Sequence, residues 1–79
     1  MIYVGIDVAK DKHDCFIVNS EGEVLYDVFT IQNNITGFED LLFKIKTAEQ
    51  NPDKVRVGLE ATGHYSCNIL GFLKNVGMQ

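Results

Sequence analysis

Along the first third of the chain, apolar and polar positions alternate in short runs bounded by turn residues. Met1 to Ile6 is a β-rich apolar run that ends at an acid, Asp7, as a buried strand would. Val8 to Lys12 is a polar connection, His13 to Val18 reads as a second strand, and Asn19-Ser20-Glu21-Gly22 is turn chemistry. Val24 to Ile31 is a third strand, so the first three are expected to form an antiparallel meander.

The period then changes. Asn33 and Asn34 break the strand pattern, and Thr36-Gly37-Phe38-Glu39 fits a capping box in which Thr36 closes the helix start and Glu39 reaches back. Ile35, Phe38, Leu41, Leu42 and Ile45 follow at helical spacing along one face, with Lys44 and Lys46 near the end, where the helix dipole favours cations. Asn51-Pro52-Asp53 stops this helix, and Val55 to Glu60 forms a fourth strand. A second helix carries Tyr65, Ile69, Phe72, Leu73 and Val76 on one side and ends at Gly77 as its C-cap. The predicted order is βββαβα, an α/β domain, with a further strand expected next.

Two strand ends echo one another. Val4-Gly5-Ile6-Asp7 closes the first strand and Val57-Gly58-Leu59-Glu60 closes the fourth. A right-handed crossover through the helix can set the fourth strand parallel to the first. As neighbours, about 4.8 Å apart, the two would bring Asp7 and Glu60 side by side at their C-terminal ends. Two carboxylates so close repel unless a cation lies between them or one is protonated. Mg²⁺ or Mn²⁺ takes such oxygen ligands and keeps positions for water and phosphate. Alternation places Gly5 on the face of Asp7 and Gly58 on the face of Glu60, leaving room beneath each acid. Open α/β sheets bind their ligands in this region. A plainer account also stands: two solvated strand ends, with glycines that help pack a helix.

Composition narrows the setting. At 79 residues the chain is one small domain or a piece of a larger one. A net charge of −4, from seven Lys plus Arg against eleven Asp plus Glu, is unsuited to gripping a phosphate backbone unaided. Cys15 and Cys67 lie in apolar stretches without metal-ligand spacing and read as buried thiols of a cytosolic protein. No apolar run reaches membrane-spanning length, so a soluble cytoplasmic protein is expected.

Tyr3-Val4-Gly5-Ile6-Asp7-Val8-Ala9-Lys10, then a hairpin, then Gly37-Phe38 at a helix start, then Gly58-Leu59-Glu60-Ala61-Thr62-Gly63-His64-Tyr65, resemble the DEDD transposases of the insertion-sequence 110 family. The resemblance runs across essentially the whole chain. It implies an RNase H-like, RuvC-type fold with a mixed sheet ordered 3-2-1-4 and a fifth strand following, so that residues 1–79 would be the N-terminal part of one catalytic domain. It also implies an Asp-Glu-Asp-Asp tetrad holding Mg²⁺ or Mn²⁺ during DNA cleavage and strand transfer. Asp7 matches the first acid, bridging two ions about 4 Å apart, and Glu60 matches the second. The remaining acids and a serine nucleophile would lie downstream. DNA is the implied partner, with a structured guide RNA and a homo-oligomer associated with the family.

Other residues are weaker candidates. Lys10 and Lys12 follow Asp7 and could reach a phosphate, though solvated loop lysines are the plainer reading. Thr62, His64 and Tyr65 stand at a helix start, which favours anions, or serve as cap and packing residues. His13 reads as a strand-rim histidine with no role, and Phe38, Phe43 and Phe72 as core or near-core. The rival enzyme class is the actin-like ATPase and sugar-kinase superfamily, but its phosphate loop needs glycine where Ala9 stands. A non-catalytic assembly domain is the other alternative, since an unpaired edge on the fourth strand would invite pairing with another copy.

Overall fold

The computed structural model describes residues 1–61 and 67–77, with the backbone alone at Ala61 and Cys67. Four strands, β1 (Ile2–Val8), β2 (Lys12–Asn19), β3 (Val24–Gln32) and β4 (Val55–Ala61), form one mixed sheet in the order β3-β2-β1-β4. Two helices, α1 (Ile35–Ala48) and α2 (Cys67–Asn75), complete the expected βββαβα order. β1 pairs antiparallel with β2 and parallel with β4, and β3 pairs antiparallel with β2. This is the RuvC-like layout that the sequence pattern and the family resemblance implied. The first strand runs to Val8 and the second begins at Lys12, so the connection between them is only Ala9–Asp11.

Alternation sorts each strand onto two faces. Ile2, Val4, Ile6 and Val8 of β1, with His13, Cys15 and Ile17 of β2, are buried. Ile31 and Val55 continue this layer on β3 and β4, with Val57 and Leu59 partly buried against it. The helices cover that face through Phe38, Leu41 and Ile45 of α1 and Ile69 and Leu73 of α2. Phe38 and Phe72 join the two helices, their ring centroids 5.5 Å apart. The spacing of Phe38, Leu41 and Ile45 is that of one helix face, and this burial gives a 14-residue helix its stability in water. Pairing of β2 with β3 shifts between Cys15 and Ile17 and again at Val18, an irregularity that bends a strand and sharpens its twist.

Two turns follow the expected chemistry. The side chain of Asn19 accepts from the backbone N–H groups of Glu21 and Glu23, and Gly22 takes a φ of +85°. Gly77, after α2, takes a φ of +83° and donates to the Lys74 carbonyl, as a C-cap glycine does.

Three local expectations are corrected. The N-cap of α1 is Asn34, whose side chain accepts from Gly37 N–H at 2.9 Å, so the capping box drawn on Thr36 and Glu39 does not form and Thr36 already lies inside the helix. With Asn34 at the cap, the helix starts two residues earlier than a cap at Thr36 would set it. Gly37 then lies buried against the backbone of Gln32, where a Cβ would collide with its carbonyl, so the helix start presses directly on the end of β3. Phe43 is 69% exposed, because a helix one layer deep on a sheet buries only one stripe and Phe43 falls outside it. His13 is fully buried rather than at the rim, since β2 begins one residue earlier and its alternation turns His13 inward.

Replacing Asn34 by Ala is expected to lower stability by about 1 kcal/mol, and Thr36→Ala to change it by less than about 0.5 kcal/mol, compared in urea unfolding. The Cys15 thiol, free and buried, supplies a second prediction. Burial, helped by the charges of Asp14 and Asp40, pushes it up from 9.0 to about 12. The unfolded chain therefore loses this proton at a lower pH than the native chain, and the native state binds more protons between pH 9.0 and about 12. The stability contributed by the buried thiol is complete below pH 9.0 and declines as pH rises through that window. Denaturant melts of wild type and Cys15→Val across it should diverge, with the wild type losing more.

Candidate metal centre

β1 is an interior strand, paired with β2 on one side, and the crossover through α1 delivers β4 to its other edge. The resulting parallel register makes Asp7 and Glu60 Cα partners, and likewise Gly5 and Gly58. Asp7 and Glu60 are exposed and alternate with buried or half-buried neighbours, so both rise from the face of the sheet opposite the helices. The geometry expected from the two matched strand ends is therefore present.

The space beneath the acids is not symmetric. Phe16, the Cα partner of Gly5 on β2, lays its ring where a Cβ on Gly5 would stand, whereas among the described residues nothing lies within 4 Å of that position on Gly58. Gly5 thus makes room for an aromatic ring, and only Gly58 leaves the open floor that the sequence suggested for both. An open cleft of about 480 Å³ results, bounded by Asp7, Asp14, Phe16, Val28, Gly58 and Glu60. A larger, shallower depression of about 770 Å³ runs along α1 beside Glu39, Phe43 and Lys46, on a different surface from the paired acids.

Asp14 is a residue the sequence reading passed over. It is the Cα partner of Asp7 on β2, and it is exposed on the same face. Asp14, Asp7 and Glu60 therefore occupy one transverse row across three strands, and the Thr30 hydroxyl at the end of that row donates to Asp14 Oδ1 at 2.7 Å. Counting outward from the β1–β2 connection pairs Val8 with His13 and then Asp7 with Asp14. Like charges facing each other across strands are unfavourable by about 0.2–1 kcal/mol. The three do not converge, however. Among the described residues no group of three His, Cys, Asp or Glu side chains is close enough to hold one metal ion. Asp7 and Glu60 supply hard oxygen donors suited to Mg²⁺ or Mn²⁺, but as a pair that leaves further ligands to come from elsewhere.

Lys10 and Lys12 are both exposed, and neither forms an ion pair among the described residues. The backbone around Lys10 is tightly held. Ala9 N–H donates to His13 Nδ1 at 3.2 Å, Asn33 Nδ2 donates to the Lys10 carbonyl at 2.9 Å, and Asn33 N–H donates to the Asp11 carbonyl at 2.9 Å. Thr62, His64 and Tyr65 lie outside the described residues. Among the described residues no helix is long and apolar enough to cross a membrane.

Comparison with known proteins identifies the family. A family model described as a transposase, that of the insertion-sequence 110 DEDD group, matches residues 4–79. The chain is 36% identical over 64 residues to the pilin gene-inverting protein of Moraxella bovis, a match that covers 80% of this chain and 19% of that protein. This chain thus spans about a fifth of the curated relative. The actin-like ATPase reading is left without support. The chain belongs to the insertion-sequence 110 family of DEDD transposases.

Proposed function

We propose that residues 1–79 are the first part of a RuvC-like catalytic domain, and that Asp7 and Glu60 are two of the acids by which a transposase binds divalent metal for DNA cleavage and strand transfer. One observation carries this: two carboxylates stand as registered partners on neighbouring parallel strands, on the sheet face that the described helices leave open. Family membership supports the reaction class. The relative's name states that it inverts a pilin gene, and inverting a gene requires DNA to be cut and rejoined.

Each residue has a definite task under this reading. Asp7, on an interior strand, would be the more rigidly placed ligand, and Glu60, on the edge strand with a longer side chain, would close on the same ion. Bound there, Mg²⁺ or Mn²⁺ would supply Lewis-acid stabilisation to the scissile phosphate and activate the attacking oxygen. Gly58 keeps the floor beside Glu60 clear for the backbone of a substrate strand. Lys10 and Lys12 place positive charge near the acids, partly offsetting the row that includes Asp14. Thr62, His64 and Tyr65 are candidate contacts to the same strand. DNA binding by the full protein would draw on segments beyond these residues, because a net charge of −4 supplies little affinity for phosphate. A guide RNA and a homo-oligomer are the further partners that family membership points to.

Titrating the ¹⁵N-labelled chain with Mn²⁺ tests the assignment. Paramagnetic broadening is expected to centre on the amides around Asp7 and Glu60, and Asp7→Asn or Glu60→Gln should weaken the apparent affinity by about tenfold or more, while melting temperature changes little. Broadening centred elsewhere, or unchanged in both variants, would rule the site out.

A further inference from the structure

Among the described residues, two buried side-chain polar atoms have no hydrogen-bond partner: His13 Nε2 and Asn33 Oδ1. Both belong to the two side chains that hold the connection Ala9–Asp11. His13 takes the Ala9 N–H on Nδ1, and Asn33 donates to the Lys10 carbonyl from its side chain and to the Asp11 carbonyl from its backbone N–H. Every residue between β1 and β2 is thus tied by one of these two, and the connection starts two residues after Asp7.

The His13 geometry is informative. Nδ1 accepts from an N–H only when it carries no proton, so the ring is neutral with its proton on Nε2. That proton is buried without an acceptor, in a ring that is fully buried and stacked near-parallel to Phe38, centroids 6.3 Å apart. A phenylalanine would keep the stack and the volume and would remove the unpaired donor. As far as stability goes, histidine is the poorer choice at this position. What histidine adds is the acceptor for Ala9. Asn33 has the same character: its amide turns Nδ2 to Lys10 at the expense of a buried, unpaired oxygen.

We propose that His13 and Asn33 are positioning residues for the Asp7 site. Together they lock the chain as it leaves β1, steadying the strand end that carries Asp7 and fixing where Lys10 departs from the sheet. This rests on the reading of Asp7 and Glu60 as a cation site, and it adds the means by which the site keeps its shape. Asn33 is followed by the N-cap Asn34, so the same corner anchors the β1–β2 connection and the start of α1.

Two His13 variants separate positioning from bulk stability. His13→Phe keeps the stacked ring and loses the acceptor. It is expected to melt at or above the wild-type temperature, to lose backbone order at Lys10 and Asp11 by ¹⁵N relaxation, and to bind Mn²⁺ about threefold or more weakly. His13→Asn keeps an acceptor near the place of Nδ1 and loses ring volume. It is expected to melt lower and to retain Mn²⁺ affinity. Asn33→Ala keeps the backbone bond to Asp11 and removes the one to Lys10, so it should lose order at Lys10 and weaken Mn²⁺ affinity in the same way. Affinity that instead follows melting temperature across the set overturns the proposal, as do Lys10 and Asp11 order parameters below about 0.6 in the wild type. Failure of the wild type itself to bind Mn²⁺ at Asp7 and Glu60 would end the cation reading. The clamp is then judged by relaxation alone, upheld if order is lost in His13→Phe and overturned if it is not.

Discussion

The parallel pairing of β1 with β4 is the constraint from which the rest of the structure takes its form. Parallel neighbours cannot be joined by a tight turn, so the chain must leave the sheet, cross it and return. Here α1 makes that crossing, and it stays in place because Phe38, Leu41 and Ile45 are buried against the sheet. The register of Asp7 with Glu60, on which any shared chemistry depends, is therefore maintained by apolar contacts on the far side of the sheet from the acids. A one-residue slip of β4 would turn Glu60 toward the core and Leu59 toward solvent, and the loss of buried surface opposes it.

The two faces of the sheet have divided their work. One carries the branched aliphatic residues and both described helices. The other carries Asp7, Asp14 and Glu60 in a row, with Phe16 folded over Gly5 and Gly58 left bare. Electrostatics on this second face are unfavourable in isolation, since three carboxylates in register repel and, among the described residues, only Asp14 has a hydroxyl donor. Such an arrangement opposes folding wherever positive charge does not offset it. The buried, unpaired atoms of His13 and Asn33 follow the same pattern, in which local stability is given up close to the acids.

Asn33 and Asn34 show how much can be concentrated in a break between elements. One asparagine ties the β1–β2 connection, the other caps α1, and Gly37 lets the helix start sit directly on the backbone of Gln32. A corner that ends a strand, starts a helix and braces a distant loop would be hard to move without disturbing all three.

What the amino-acid sequence determined by itself was the order of elements, the parallel return of β4, and the two acids at matched strand ends, since these follow from local periodicity and from alternation within single strands. It also carried the family, through the motifs around Asp7 and Glu60. The residues it misjudged depend on contacts between elements distant along the chain. His13 is buried because the β1–β2 register turns it toward Phe38, and Phe43 is exposed because α1 meets the sheet on a narrow stripe. Asp14 becomes the neighbour of Asp7 only once the hairpin is registered, and Asn33 is a clamp only because β3 ends beside the β1–β2 connection. Periodicity reports which face a side chain takes within its own element. Which partner it meets there is decided by packing between elements, and that is where the tertiary structure alone had the answer.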